Sequence, residues 1–248
     1  MKLKIIFICF ILITEHAYSK VTESLTFAAY LPQSPPYFYV DESSNQLIGI
    51  AAEVLRRYSK KHNLRFKYEL SNRLRAEKAL YDGSADVSLL SSEWVKYPEQ
   101  LIFSEPFYSN GDKFYALSPL PDSPGNIKNL KGKVICTREF YKYPLFDQYV
   151  ANDLVKRMDT QSEIRQFKMM LSGRCDLAYM NEWVATHIIN KELNKKDVIY
   201  GSENSFDINH GVFAFSQKWQ PELANFNQYL INLKASGELD EIINQYVN

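Results

Sequence analysis

The chain has 248 residues, 46% hydrophobic and 23% charged, and its 29 basic and 29 acidic side chains balance to a formal net charge of zero. That balance excludes the basic excess that binds nucleic acid backbones, so no nucleic acid partner is expected. The length allows one large domain or two small ones. Aromatic residues reach 14%, with 17 Tyr. Tyrosine joins flat apolar area to a hydroxyl, a combination that suits sites for polar organic solutes.

The N-terminus begins with Lys2 and Lys4, continues through nine apolar residues from Ile5 to Ile13, and turns polar up to Ala17-Tyr18-Ser19. This is the pattern of a cleavable signal peptide over residues 1–19, cut before Lys20. The apolar run is less than half of the roughly 20 residues that a membrane-spanning helix needs. Cys9 has no small residue before it, unlike a lipoprotein cysteine. A periplasmic product without stable membrane insertion is therefore expected. Cys136 and Cys175 remain after cleavage. An oxidising compartment permits them to pair, but sequence leaves the geometry open. His62, His187 and His210 show no metal-ligand spacing, so neither metal nor cofactor is expected.

Residues 25–30 read as a strand and 50–62 as an amphipathic helix with Ile50, Val54, Leu55 and Tyr58 on one face. Leu64 to Leu70 alternates as a strand. A helix over 73–82 stops at Gly83, and Asp86 to Leu90 is a short apolar strand. Phe114 to Leu117 is a further strand. The stretch 118–132 holds three prolines and two glycines and reads as a linker. A second round follows: a strand at 134–136, a helix near 143–151, a strand near 154–158, a helix near 161–172, a strand at 176–180 and a helix over 182–192. Alternation of this kind predicts an α/β fold in which mostly parallel sheets are flanked by helices. The two rounds share one local phrase. Gly83-Ser84-Ala85-Asp86 and Gly173-Arg174-Cys175-Asp176 each follow a helix and precede a strand.

A strand at 211–215 and helices near 221–235 and 239–246 are left over. Their economical place is back on the first module. The expected division is lobe 1 over 20–115, lobe 2 over 116–210, and a return to lobe 1 over 211–248. Two chain crossings then form a hinge, with a ligand cleft between the lobes.

Several landmarks occur in order along the chain: Pro35-Pro36-Tyr37-Phe38, Gly49, Gly83-Ser84-Ala85-Asp86, Phe103-Ser104-Glu105-Pro106-Phe107-Tyr108, Leu130-Lys131-Gly132-Lys133-Val134, Gly173-Arg174-Cys175-Asp176 and Gly237. In these the chain resembles the family 3 extracellular solute-binding proteins, the polar amino acid class that serves ABC transporters. The resemblance covers nearly all of residues 20–248. It implies a two-lobed periplasmic binding protein fold of type II, a monomer that closes on a small solute, and an ABC permease as partner.

Relatives that bind α-amino acids hold the carboxylate with an Arg shortly before the Phe-Ser-x-Pro phrase. Here residues 92–103 contain no Arg, and Lys96 is the candidate substitute. Those relatives hold the ammonium with an Asp where this chain has Asn181, followed by Glu182. Both departures weaken an amino acid assignment. Arg75-Ala76 resembles a Pro-Trp-x-Arg-Ala pattern of a subset of the family, with Asn72 and Arg73 in place of the Pro and Trp, and Arg75 is a candidate to face the cleft and bind an anion. The loop Thr137-Arg138-Glu139-Phe140-Tyr141 corresponds to one on which family ligands rest. Arg138 stands there near a usual Gly, so its side chain is a candidate anion partner. The expected ligand-binding set is Tyr30, Tyr37, Arg75, Ser91, Ser92, Trp94, Arg138, Phe140, Tyr141, Asn181 and Glu182.

The leading reading is a solute receptor for an ABC transporter or a sensor, binding an amino-acid-like compound or an organic anion. The alternative is a dehydratase-like enzyme on the same fold. It needs an acid or base poised in the cleft, for which Glu93 and Glu182 are the candidates. The sensor domain of a membrane receptor is expected to carry a transmembrane helix after the second lobe, and the sequence shows none.

Overall fold

The computed structural model describes residues 24–120 and 130–248. The expected signal peptide over 1–19, its cleavage before Lys20 and most of the linker at 118–132 lie outside the described residues.

The first module follows its hydrophobic periodicity closely. Strand β1 (Ser24–Leu31) leads through a short hairpin, β2 (Tyr39–Asp41) and β3 (Gln46–Ile48), into helix α1 (Ile50–Lys61). Strand β4 (Arg65–Asn72), helix α2 (Arg73–Tyr81) and strand β5 (Val87–Leu89) complete the βαβαβ unit. β1 pairs in parallel with β4 and with β5. The hairpin escaped the periodicity because three-residue strands carry almost none. Gly49 starts α1 at φ +113, and a Cβ there would lie 2.6 Å from the Tyr37 carbonyl oxygen. Only glycine accepts both that backbone and that approach. The backbone bonds from Ile50 N–H to Pro36 O and from Ala51 N–H to Tyr37 O then seat the helix on the Pro-rich turn.

Strand β6 (Leu101–Phe103) is followed by β7 (Tyr108–Ala116), which leaves the first sheet for the second. The strand expected at 114–117 thus begins six residues earlier. Its first half, Tyr-Ser-Asn-Gly-Asp, is polar and looks like a loop in sequence. The boundary expected at 115/116 falls inside this strand.

The second module contains β8 (Val134–Arg138), α3 (Pro144–Ala151), β9 (Lys156–Thr160), α4 (Glu163–Leu171), β10 (Leu177–Asn181) and α5 (Glu182–His187). A π-helical turn over Ile188–Leu193 continues α5. β8 pairs in parallel with β9 and β10, whereas β7 runs antiparallel to β10. On the far edge of β7 lie β11 (Tyr200–Gly201) and β12 (Phe206–Gly211). The chain then returns as β13 (Phe213–Ser216), inserted between β5 and β6. Helices α6 (Leu223–Ala235) and α7 (Glu238–Val247) cover the first sheet.

Each sheet buries both faces, as expected of strands covered by helices. One face of the first sheet packs Phe27, Phe213 and Phe215 against Tyr58 of α1 and Phe226 of α6, and the other packs on Ala76 and Leu80 of α2. Fully burying a side chain such as Phe226 contributes about 1.5–3 kcal/mol. In the second sheet, Phe114, Ile135 and Tyr179 face α3, while Tyr115, Ala178 and Met180 face α4 and α5.

The repeated Gly-x-x-Asp phrase has the same structural job in both lobes. Asp86 Oδ2 accepts from Thr26 N–H at 2.6 Å, and Asp86 N–H returns a bond to the Thr26 carbonyl at 3.0 Å. Asp176 makes the matching pair with Val134, at 2.8 Å in each direction. Asp86 goes further. Its other oxygen accepts from Trp219 Nε1–H and from the Lys218 ammonium, both at 2.7 Å. It thereby ties the return segment to the first strand. Cys136 and Cys175 are joined as a disulfide, with Cα atoms 5.8 Å apart, linking β8 to the turn before β10.

Candidate functional site

The two lobes meet where β6 passes into β7 and β12 into β13. Phe107 N–H bonds to Gly211 O, and Ser104 and Phe213 exchange bonds across the same gap. A Cβ on Gly211 would lie 1.9 Å from the Tyr108 ring, so the crossing strands can pack this closely only with glycine there. In parallel α/β sheets a ligand crevice opens at the carboxyl ends of the strands. Here those ends carry Tyr30, Asn72 and Leu89 in the first lobe and Arg138, Thr160 and Asn181 in the second.

Tyr37, Asn110 and Asn181 form the floor between the lobes. The Tyr37 hydroxyl donates to Asn181 Oδ1 at 2.9 Å and accepts from Asn110 Nδ2 at 3.1 Å, while Asn181 Nδ2 donates to Asn110 Oδ1 at 2.9 Å. Asn181 Oδ1 also caps α5 through the N–H groups of Trp183 and Val184. The Tyr37 ring stacks on Tyr108 at 5.2 Å, and Trp183 completes the cluster 4.8 Å from Tyr108. Tyr37 and Asn181 are therefore engaged with each other. Glu182 is engaged too, in an ion pair with Lys113 at 2.5 Å and a bond from the Ser205 hydroxyl at 3.3 Å.

Arg138 closes β8 and is only 9% exposed. Its Nε and Nη1 atoms are buried, with no hydrogen-bond partner among the described residues. The nearest carboxylate, Glu163 of α4, lies 3.8 Å from Nε, too far for a hydrogen bond. The guanidinium carbon sits 5.9 Å from the centre of the Tyr141 ring, within range of a cation–π contact. Leaving charged donors buried without acceptors costs several kcal/mol. Such a cost is carried where a ligand supplies the missing acceptor.

Asp112 stands on β7 directly opposite Asn181 in the register. It is 5% exposed, and no described residue donates to its carboxylate. Burial, reinforced by the Asp207 charge, pushes its carboxyl up to about 8. Asp207 itself is satisfied, accepting from the Tyr179 hydroxyl at 2.8 Å and from Leu145 N–H at 2.9 Å.

The remaining expected residues divide. Tyr30 lies at the mouth of the first lobe, its ring 4.8 Å from Phe38 and its hydroxyl 3.3 Å from Leu89 O. Burial pushes its phenol up to about 12, against the opposing charge of Arg73. Arg73, absent from the expected set, lies 5.3 Å from the Tyr30 ring centre and pairs with Glu77 at 2.8 Å. Arg75 is exposed, and its side chain has no hydrogen-bond or ion-pair partner among the described residues. Ser91 is half-buried, and its Oγ lacks a partner among the described residues. Ser92 and Trp94 are exposed.

Phe140 is almost fully exposed, at φ 65, and Tyr141 is half exposed. Burial pushes the Tyr141 phenol up, as do Glu163, Tyr30 and Asp112, while Arg138 opposes them. A residue of each lobe, Tyr30 and Arg138, thus acts on one hydroxyl. Lys96 turns its backbone N–H to Glu77 and its ammonium towards Tyr97. It borders an outer groove of the first lobe lined by Leu74, Glu77, Trp94 and Tyr97, not the crevice between the lobes. Asp112, Arg73 and Trp183 escaped sequence reading. For Trp183 the signal was its place two residues after Asn181.

The family model described as bacterial extracellular solute-binding proteins, family 3, matches residues 27–248. A comparison with curated proteins finds no match. Among solved structures, an ancestral cationic amino acid solute-binding protein aligns over 91% of this chain and 96% of its own, with 16% identity and a TM-score of 0.73. A mutant of ArgBP from T. maritima aligns over 90% and 95%, with 18% identity and a TM-score of 0.64. The VFT2 domain of BvgS from Bordetella pertussis aligns over 90% and 93%, with 17% identity and a TM-score of 0.67. At these identities the likeness establishes the fold.

Proposed function

The chain belongs to the bacterial extracellular solute-binding proteins, family 3, and on that premise we propose that its crevice takes a small amino-acid-like solute whose anionic group is bound by Arg138. One observation carries the reading: a buried guanidinium with two unpartnered donors at the carboxyl end of a strand. Arginine presents paired donors that match a carboxylate. The solute shifts the lobes towards a closed state through contacts that only the closed state completes. Tyr30 and Tyr141, one from each lobe, wall the site. Export by signal peptide cleavage before Lys20, residence in the periplasm as a monomer and delivery to an ABC permease complete the proposal.

A thermal-shift screen of amino acids, polyamines and organic acids tests it. A bound solute at 100 times its Kd adds about 2.7 kcal/mol of stability. We expect at least one anionic compound to stabilise the protein, and Arg138→Ala to weaken that compound about 30-fold or more. Arg75→Ala, on an exposed side chain, is expected to leave affinity within about threefold. Unchanged affinity in Arg138→Ala overturns the anion site. Turnover of the stabilising compound overturns the receptor reading in favour of an enzyme.

A further inference from the structure

Helix α2 presents Arg73, Glu77 and Tyr81 at intervals of four residues, along one face. That face meets the chain after it leaves the carboxyl end of β5. Residues 94–97 have no strand or α-helix of their own beyond the short turn ending at Trp94, and three of their peptide groups bond to α2 side chains. The Trp94 carbonyl accepts from Arg73 Nη2 at 2.7 Å, Lys96 N–H donates to Glu77 Oε1 at 2.6 Å, and Tyr97 N–H donates to the Tyr81 hydroxyl at 3.0 Å. Glu77 joins these three rungs. Its Oε2 accepts from Arg73 Nη1 at 2.8 Å, and its Oε1 also accepts from the Tyr81 hydroxyl. Glu77 is 6% exposed. Burial pushes its carboxyl up, but the Lys96 N–H, the Tyr81 hydroxyl and Arg73 together hold it below the usual carboxylate range. Arg73 carries the arrangement to the crevice. Its guanidinium carbon lies 5.3 Å from the Tyr30 ring centre, while the Tyr30 hydroxyl donates to Leu89 O at 3.3 Å. Tyr30 is thus held both on its face and at its hydroxyl. Arg57 and Glu53 of α1 form a pair of the same spacing at 3.0 Å, but that pair reaches Glu238 of α7 instead of a strand end.

Resting on the reading that the crevice takes a small solute, we propose that Glu77 is a positioning residue for the first-lobe wall of that site. It fixes Arg73 over the Tyr30 ring and, with Tyr81, clasps residues 94–97 to α2. The clasp is in place before a solute arrives, and a wall already ordered spares binding the cost of ordering it. It also divides the work of two arginines. Arg73 stays committed to Glu77 and the Trp94 carbonyl, so it shapes the wall and leaves the anionic group of the solute to Arg138. A carboxylate is required for this division. Glutamine keeps the shape and one acceptor for the Lys96 N–H, but it turns an amide N–H towards Arg73, donor against donor. The guanidinium is then released, and the face of Tyr30 with it.

The test compares wild type with Glu77→Gln, Arg73→Met, their double variant and Glu53→Gln, a control of the same pair type. Titration calorimetry with the common α-amino acids and succinate measures affinity, and thermal scans measure stability. Amide-resolved hydrogen exchange follows the ligand-free proteins. Glu77→Gln and Arg73→Met should each weaken the tightest of these compounds about fivefold or more. The double variant should fall no more than about twofold below either, because the two side chains act as one unit. Glu53→Gln should lower the melting temperature yet keep affinity within about twofold, which separates positioning from mere stability. In wild type the Lys96 and Tyr97 amides should be protected, and Glu77→Gln should speed exchange at Lys96 about tenfold or more. Affinity within about twofold in folded Glu77→Gln, or a double variant that loses the product of the single losses, overturns the positioning role while the solute-binding reading stands. Lys96 and Tyr97 amides that exchange freely in wild type do the same. Tyr81→Phe keeps the proposal testable if Glu77→Gln does not fold. It removes the acceptor of Tyr97 N–H and should weaken binding about threefold or more, and unchanged affinity overturns the clasp. Failure of every compound to bind wild type overturns both readings.

Discussion

Arg138 is a buried charged side chain whose Nε and Nη1 have no hydrogen-bond partner among the described residues; its nearest counter-charge, Glu163, stands 3.8 Å from Nε, beyond hydrogen-bond range. Removing so loosely compensated a buried charge while keeping its apolar stem is neutral or stabilising. We therefore expect Arg138→Met to melt at or above the wild-type temperature in a ligand-free thermal scan while losing solute affinity. A structural arginine would give the opposite, a loss of about 3–5 kcal/mol. Sequence pointed to Arg138 through its place after the first strand of the second module. It also pointed to Arg75, through the likeness of Arg75-Ala76 to a pattern in a subset of the family; in the fold Arg75 is exposed, and Arg73, two residues before it, pairs with Glu77 beside the Tyr30 ring. Asp112 was illegible, since it lies in the run Ser109-Asn110-Gly111-Asp112, whose polarity reads as a loop. That polarity belongs to a strand whose side chains line the junction of two lobes instead of a core.

Elements are held to one another by a few polar junctions. Asp86 is the most heavily used of these, bonding Thr26 of β1, Trp219 and Lys218. Asp86→Ala strands the Trp219 N–H and the Thr26 N–H in the core, each at about 1–3 kcal/mol. We predict a loss of about 3–5 kcal/mol in denaturant unfolding, with smaller consequences for Asp176→Ala, whose carboxylate is half exposed. Long, periodic elements such as α1 and β1 were legible because one face is buried throughout. Strands β2, β3, β11 and β12 were not, being too short or too polar for a period to show. The phrase Gly-x-x-Asp was legible as a repeat, but the reciprocal bond between each Asp and its first strand emerges only when the turn is folded.

At the scale of the molecule, two sheets share two strand crossings and one aromatic floor. Trp183 and His187 of the second lobe reach the first, the former against Tyr108 and the latter through Nδ1 to Tyr246 O at 2.9 Å. These contacts set how the lobes lie about the crevice, and the fold class and its two crossings followed from the order of elements in sequence. The pairing of Cys136 with Cys175 did not, because it depends on a Cα separation that only the folded sheet provides. The central claim is that a solute sits between the lobes with its anionic group on Arg138. A crystal structure of the protein with the most stabilising compound of the screen tests this most directly. We predict that anionic group about 3 Å from Arg138 Nε or Nη1. A solute bound elsewhere, such as the outer groove at Trp94 and Tyr97, with Arg138 still unpartnered, would contradict the account.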